Sequence, residues 1–211
     1  MRTGVLALQG DVPEHLAAIG RLGAEHSVLA VRTPAGLADV DALFLPGGES
    51  TTIARLLQES GLWEPLARRL AAGLPVLATC AGLILLSRRL APSPGGLNPP
   101  TIGRLDVTVR RNDYGTQRES FEDAVRVEDL PGGAFPGVFI RAPRILQVGP
   151  HAHPIAWRGS EVVGVREGAV WGLTFHPELS GDPRLHQQFL SEAERLRTGV
   201  ARPGPPKAGT V

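Results

Sequence analysis

The sequence holds one cysteine, Cys80, in the stretch 75–90, PVLATCAGLILLSRRL. Residues 75–78 form a short apolar run bounded by Gly73 and read as a buried strand. Residues 83–86, followed by Arg88 and Arg89, predict a helix with cations in its last turn. Cys80 stands between the two, flanked by the small residues Thr79, Ala81 and Gly82. A sharp strand-to-helix turn needs small neighbours, lifts the middle side chain out of the sheet and aims the following N–H groups at whatever that side chain attacks. A helix N-terminus also favours the thiolate, the reactive form of a thiol. The competing reading is a free cysteine packed as a small hydrophobe.

Two further stretches could complete such chemistry. In 175–179, FHPEL, a strand end followed by His176, a rigid proline and Glu178 can turn an imidazole towards the cysteine, with a carboxylate behind it to fix tautomer and orientation. The alternatives are a solvated loop histidine and a plain charge before the last helix. In 46–52, PGGESTT, Gly47 and Gly48 allow unusual backbone angles and close approach of a ligand to backbone N–H groups, the makings of an oxyanion hole. Ser50 or Thr51 can cap the helix that follows, and a plain strand–turn–helix is the competing reading. The stretch lacks the Gly-Lys-Ser/Thr ending of a phosphate-binding loop. His15 and His26 lie in or beside the first helix and His186 in the last. His151 and His153 form an HxH pair without a cysteine or carboxylate cluster at ligand spacing, so no metal site is expected.

The elements that must hold these residues follow from apolar patterning. Residues 4–8, GVLAL, are a compact run of buried parallel-strand type, broken by Gln9-Gly10-Asp11. Asp11 can cap the helix that Pro13 and Glu14 open, with Leu16, Ile19 and Leu22 at helical spacing. Residues 27–31 and 41–45 read as further strands, and 62–72 as a helix. This alternation predicts right-handed βαβ units and a mostly parallel sheet, whose ligands lie beyond the carboxyl ends of the strands. Residues 91–100, APSPGGLNPP, form a surface loop. The second half changes to short β-type runs at 105–110, 124–127, 138–140, 155–157, 162–166 and 170–175, with hairpin turns at 158–160 and 167–168. Residues 184–197 form a last helix with Leu185, Phe189, Leu190, Ala193 and Leu196 on one stripe. A single domain over 1–198 is expected, with a disordered tail over 199–211.

Composition bounds the function. Of 211 residues, 42% are apolar and 20% charged, which excludes wholesale disorder, and a net charge of +1 without a basic stripe argues against nucleic-acid binding. One cysteine cannot form an internal disulfide, and no run approaches the roughly 18 apolar residues that span a bilayer. A soluble cytoplasmic protein is expected.

In this order, PGGEST, TCAG and FHPE resemble the class I, triad-type glutamine amidotransferases. LALQGDVPEH at 6–15, ATCAGLILL, DVTVRRNDYG with Gln117 and Ser120-Phe121-Glu122, and VFIRAPRI at 138–145 narrow the resemblance to the glutaminase subunits of pyridoxal 5′-phosphate synthase, over residues 3–197. The resemblance implies a flavodoxin-like, three-layer α/β/α sandwich, its mostly parallel central sheet carrying additional antiparallel strands. It implies Cys80 as nucleophile, His176 as general base and acid, and Glu178 as orienting carboxylate. It assigns Gly48, Glu49, Ser50, Arg111, Ile140 and Arg141 to the L-glutamine site, and oxyanion N–H groups to Gly47 or Gly48 and Ala81. An arginine fork could hold the substrate's α-carboxylate or order a loop, and the sequence leaves both open. No cofactor and no metal are implied. The partner implied is a synthase subunit docked over the active site, in a double hexameric ring with one glutaminase on each synthase subunit. Two positions depart from the usual pattern: Ala78 stands where many relatives carry glycine, and Thr116 where arginine is usual. The rival readings are a glutaminase serving another synthase, or a non-catalytic regulatory subunit of the same fold.

Overall fold

The structure, a computed structural model, describes residues 1–23, 27–93, 97–113 and 120–199. In chain order the first half comprises β1 (Arg2–Leu6), α1 (Val12–Gly20), β2 (Ser27–Val31), α2 (Pro34–Ala38), β3 (Ala42–Leu45), α3 (Ser50–Glu59), α4 (Trp63–Ala71), β4 (Val76–Thr79) and α5 (Ala81–Leu86). The second half holds β5 (Ser87–Leu90), β6 (Leu105–Arg110), β7 (Ser120–Val127), β8 (Phe135–Ile140), β9 (Arg144–Val148), β10 (His153–Arg158), β11 (Glu161–Glu167), β12 (Val170–Leu173), a 3-10 turn (Pro177–Leu179) and α6 (Arg184–Thr198). Position 116 and the tail from 200 lie outside the described residues.

Among the described residues a nine-stranded sheet runs β2-β1-β3-β4-β12-β11-β10-β7-β8. The half from β2 to β12 is parallel throughout, in the doubly wound order of flavodoxin-like folds, and the half beyond β12 is antiparallel. Residues alternate across it with the period of two that a strand buried on both faces requires. Ala42 and Phe44 of β3 and Leu77 of β4 face a core closed by α1 and α6. Leu43, Leu45, Val76 and Ala78 face the opposite core, closed by α2, α3, α4 and α5. These are the three layers expected. No helix among the described residues is long and apolar enough to cross a membrane.

Several local expectations are corrected. Arg88 and Arg89 lie in β5, not in the last turn of a helix, because Ser87 is already extended and pairs with Leu105 of β6. Their guanidinium groups reach the buried carboxylate of Asp106, at 2.9 and 3.5 Å. A small sheet, β5-β6-β9, therefore packs against the second core, and β9 went unseen because its strand character depends on its antiparallel partner β6. Asp11 precedes α1 but its side chain makes no capping hydrogen bond. Glu49, not Ser50 or Thr51, caps α3, accepting from Thr51 N–H at 3.1 Å and Thr52 N–H at 2.7 Å.

Phe44 joins the sheet to α6 and α1: its ring stacks on His186 with centroids 5.3 Å apart and meets Phe189 edge-on at 5.1 Å. Phe44→Ala is expected to lower the unfolding free energy by about 3–5 kcal/mol in urea denaturation. Leu196→Ala, at a half-exposed position of α6, should change it by no more than about 0.5 kcal/mol.

Candidate active site

Every candidate residue sits where a strand ends. β1 delivers Gln9 and Asp11, β3 delivers residues 47–49, β4 delivers Cys80, β6 Arg111, β8 Ile140 and Arg141, and β12 His176. The parallel register aligns these ends, since Leu45 pairs with Ala78 and Leu173 with Thr79.

Cys80 turns the chain from β4 into α5 with φ 47° and ψ −102°, a backbone region that non-glycine residues enter only under constraint. Its N–H donates to Leu173 O at 2.9 Å and its Sγ lies 3.9 Å from Ile140 O. The turn closes only because Gly82 lacks a side chain; a Cβ there would collide with Leu45 O. Ala78 is wholly buried in β4 just before this turn.

His176 follows β12, its N–H donating to Val138 O at 2.8 Å, its side chain almost wholly buried. Its Nδ1 lies 2.8 Å from Glu178 Oε1 and 3.1 Å from Asp11 Oδ2. Burial alone would lower the imidazole pKa. Asp11, Cys80 and Glu178 together outweigh it and hold the pKa well above the ordinary value. Nε2 is left without a hydrogen bond among the described residues. Burial pushes the Glu178 carboxyl pKa up, with His176 opposing.

A cavity of about 130 Å³ opens over these groups. It is lined by Gly48, Glu49, Ser50, Cys80, Arg111, Ile140, Arg141 and His176, and also by Asp11, Ile84 and Asn112, which sequence reasoning did not assign to the site. Gly47, Ala81 and Glu178 are not part of that lining. Arg111 is anchored: Nη1 donates to Leu97 O at 3.1 Å, while Nη2 donates to Glu49 Oε1 at 3.3 Å and Thr51 Oγ1 at 3.5 Å. Partial burial of Glu49 works against its charge, but the hydroxyl of Thr52 and the N–H groups of Thr51 and Thr52 hold its carboxyl below the usual range. Asn112 and Arg141 carry left-handed backbone, φ 50° and 43°, on the cavity wall.

Gly47 leaves room for Asp11 and His176, which a Cβ there would strike, and Gly47 O accepts from Asp11 N–H at 3.2 Å. Glu49 N–H donates to Gln9 Oε1 at 2.8 Å, tying this glycine turn to the end of β1. Of the residues sequence reasoning missed, Asp11 is the one that meets His176. Before a proline-opened helix Asp11 has the signature of a cap, and only the folding of the segments after β1 and β12 over the same end of the sheet, across β3 and β4, brings it to His176. Asp11, His176 and Glu178 each offer a ligand atom within 4.8 Å of the others, a grouping of metal-ligand types that no local spacing in the sequence marks. Both carboxylates are here directed at Nδ1 of the imidazole. His151 N–H lies 3.4 Å from Asp106 Oδ2, and His153 opens β10.

The fold and site define the class: a doubly wound α/β protein with a cysteine on a strained strand-to-helix turn and an imidazole–carboxylate pair beside it. Residues 5–195 match the model of the SNO glutamine amidotransferase family, and the chain belongs to that family. It is 49% identical to a "Pyridoxal 5'-phosphate synthase subunit PdxT" of Acidothermus cellulolyticus, over 90% of this chain and 92% of that one. It is 48% identical to the protein so described from Thermococcus onnurineus, over 92% and 99%. A solved structure described as a glutamine amidotransferase superposes with a TM-score of 0.82 at 44% identity, over 92% of this chain and all of that one. The PurLQS structure from Thermotoga maritima, matched at 15% identity with a TM-score of 0.63 over 90% of this chain and 97% of that one, shares the fold.

Two outcomes test this geometry. Gly82→Ala should destabilise the chain by about 1–3 kcal/mol in denaturant titration, by forcing α5 off Leu45 O. Asp11→Asn should lower the His176 pKa, read by NMR titration. Because the folded-state value lies above the unfolded one, the stabilisation is fully present below about pH 6.5 and lost as pH rises through the folded value. The variant's loss of thermal stability should accordingly be greatest from about pH 5 to 6.5 and vanish at higher pH.

Proposed function

We propose that this chain hydrolyses L-glutamine to L-glutamate and ammonia, and supplies the ammonia to a synthase subunit that makes pyridoxal 5′-phosphate. The observation that carries the reading is Cys80 on its strained turn, sharing a cavity with His176, whose Nδ1 is held 2.8 Å from Glu178. Family membership and the names of its relatives support the same reaction and the same partner.

In this mechanism the Cys80 thiolate adds to the side-chain amide carbon of glutamine. The developing oxyanion takes hydrogen bonds from Ala81 N–H and from Gly47 or Gly48 N–H. His176 protonates the amide nitrogen as the C–N bond breaks, releasing ammonia and leaving a glutamyl thioester on Cys80. His176 then removes a proton from water, whose oxygen cleaves the thioester to give glutamate and free the thiol. Glu178 keeps the Nδ1 proton of His176 in place through both steps, and the electrostatic support that raises the His176 pKa favours its imidazolium form. Gly48, Glu49, Ser50, Arg111, Ile140 and Arg141 form the glutamine site. A single glutaminase domain over residues 1–198 works in the cytoplasm, and the synthase docks over the cavity mouth so that ammonia passes without protonation in bulk water. The assembly is a double hexameric synthase ring with one glutaminase on each synthase subunit.

Mixing the chain with its cognate synthase and measuring glutamate release, with each protein alone as control, tests the reading. Turnover appearing or rising sharply in the mixture is the expected outcome; a formed complex with no turnover sinks it. Cys80→Ala should abolish turnover and leave the complex intact, as seen by gel filtration.

A further inference from the structure

Behind the imidazole–carboxylate pair the buried polar groups continue. Glu178 Oε2 is buried without a hydrogen bond among the described residues, yet His15 Nε2 of α1 stands 3.5 Å from it, both side chains wholly excluded from solvent. The same Nε2 is 3.3 Å from Thr79 Oγ1, the hydroxyl next to Cys80 in the chain. His15 Nδ1 is 3.2 Å from His186 Nε2 of α6, and His186 Nδ1 is buried without a partner among the described residues. Both imidazoles are neutral near pH 7. Burial, then His186 and His176, holds the His15 pKa well below the ordinary value; burial, then Arg21, lowers that of His186 to about 4.

A neutral imidazole has one N–H and one lone pair, so the short His15–His186 contact permits two arrangements. If His15 carries its proton on Nδ1, its Nε2 lone pair faces the Glu178 carboxylate. His186 must then accept at Nε2 and leave an Nδ1–H buried with no acceptor. If His15 carries it on Nε2, that N–H faces Glu178 Oε2, His186 Nε2–H donates to His15 Nδ1, and only a lone pair on His186 goes unmet. An unpaired buried donor and a lone pair against a carboxylate both cost free energy that the second arrangement avoids.

We propose that His15 is a positioning residue: its Nε2–H, shared between Glu178 Oε2 and Thr79 Oγ1 and fixed in that tautomer by His186 Nε2–H, holds the carboxylate that orients His176. The residues form one buried line, Cys80–His176–Glu178–His15–His186, drawing on α1, the 3-10 turn and α6. The inference rests on the role proposed for Glu178, and the first test below does not depend on turnover.

With ¹⁵N-labelled histidine in the full chain, long-range proton–nitrogen correlation spectra at pH 7 should show His15 and His186 both protonated on Nε2 and bare on Nδ1. A proton on His15 Nδ1 overturns the proposal. In complex with the synthase, His15→Leu removes the donor and His15→Gln restores an N–H near the Nε2 position. His15→Leu should lower kcat by about 10- to 100-fold, the worth of a hydrogen bond to a buried charge, with KM unchanged. His15→Gln should recover most of it. Wild-type kcat in a folded His15→Leu protein, or an equal fall in both variants, overturns the proposal. If His15→Leu does not fold, the wild-type spectrum decides. If the wild-type complex releases no glutamate, the glutaminase reading falls while the spectrum still tests the histidine line.

Discussion

The lateral pairing of β3, β4 and β12 is the constraint on which the site depends. Parallel hydrogen bonding fixes Leu45 beside Ala78 and Leu173 beside Thr79, so the residues that follow each strand emerge side by side. A slip of one residue would turn every side chain of a strand to the opposite core. The alternation of Leu43, Phe44 and Leu45 between the two cores forbids it. The positions of Gly47, Cys80 and His176 are thus consequences of hydrophobic register before they are matters of chemistry.

The second determinant is the burial of charge. Glu178 and His176 are almost wholly excluded from water, which penalises each ion alone, and their short contact offsets that only as a pair. Asp11 adds a carboxylate on the cavity side, whereas His15, itself against Thr79, stands beside the far oxygen of Glu178. The imidazole is therefore held between a partly exposed acid and a buried one. The aromatic ring of Phe44, against both His15 and His186, keeps that interior dry and compact.

What the sequence disclosed and what it hid divide by range. Cys80, His176 and the glycine turn were legible because each is marked by neighbours in the chain: small residues after the cysteine, proline after the histidine, two glycines after an apolar run. The doubly wound half was legible for the same reason, since parallel strands buried on both faces are continuous apolar runs. Asp11 was misread because its local context is that of a cap. Its real partner comes from β12, at the far end of the chain. The contact between His15 and His186 spans 171 positions, and nothing local marks either residue. The cap of α3 was misplaced by one residue, since a glutamate with two oxygens can reach two successive N–H groups that a hydroxyl cannot. β5 and β9 escaped because an edge strand is made by its neighbour β6 more than by its own residues.

Glu49 divides its carboxylate between two tasks. Oε2 serves Thr52 at the start of α3, while Oε1 serves Thr51 N–H and also the guanidinium of Arg111. The cavity thus contains its own resident anion. A small carboxylate entering to pair with Arg111 displaces an ion pair as it forms one, and Glu49 keeps its hold on the helix through Thr52. Net affinity for such a ligand is the difference between two similar salt bridges. Charge alone would therefore gain such a ligand little, and the Arg111 guanidinium has a carboxylate partner within the chain itself.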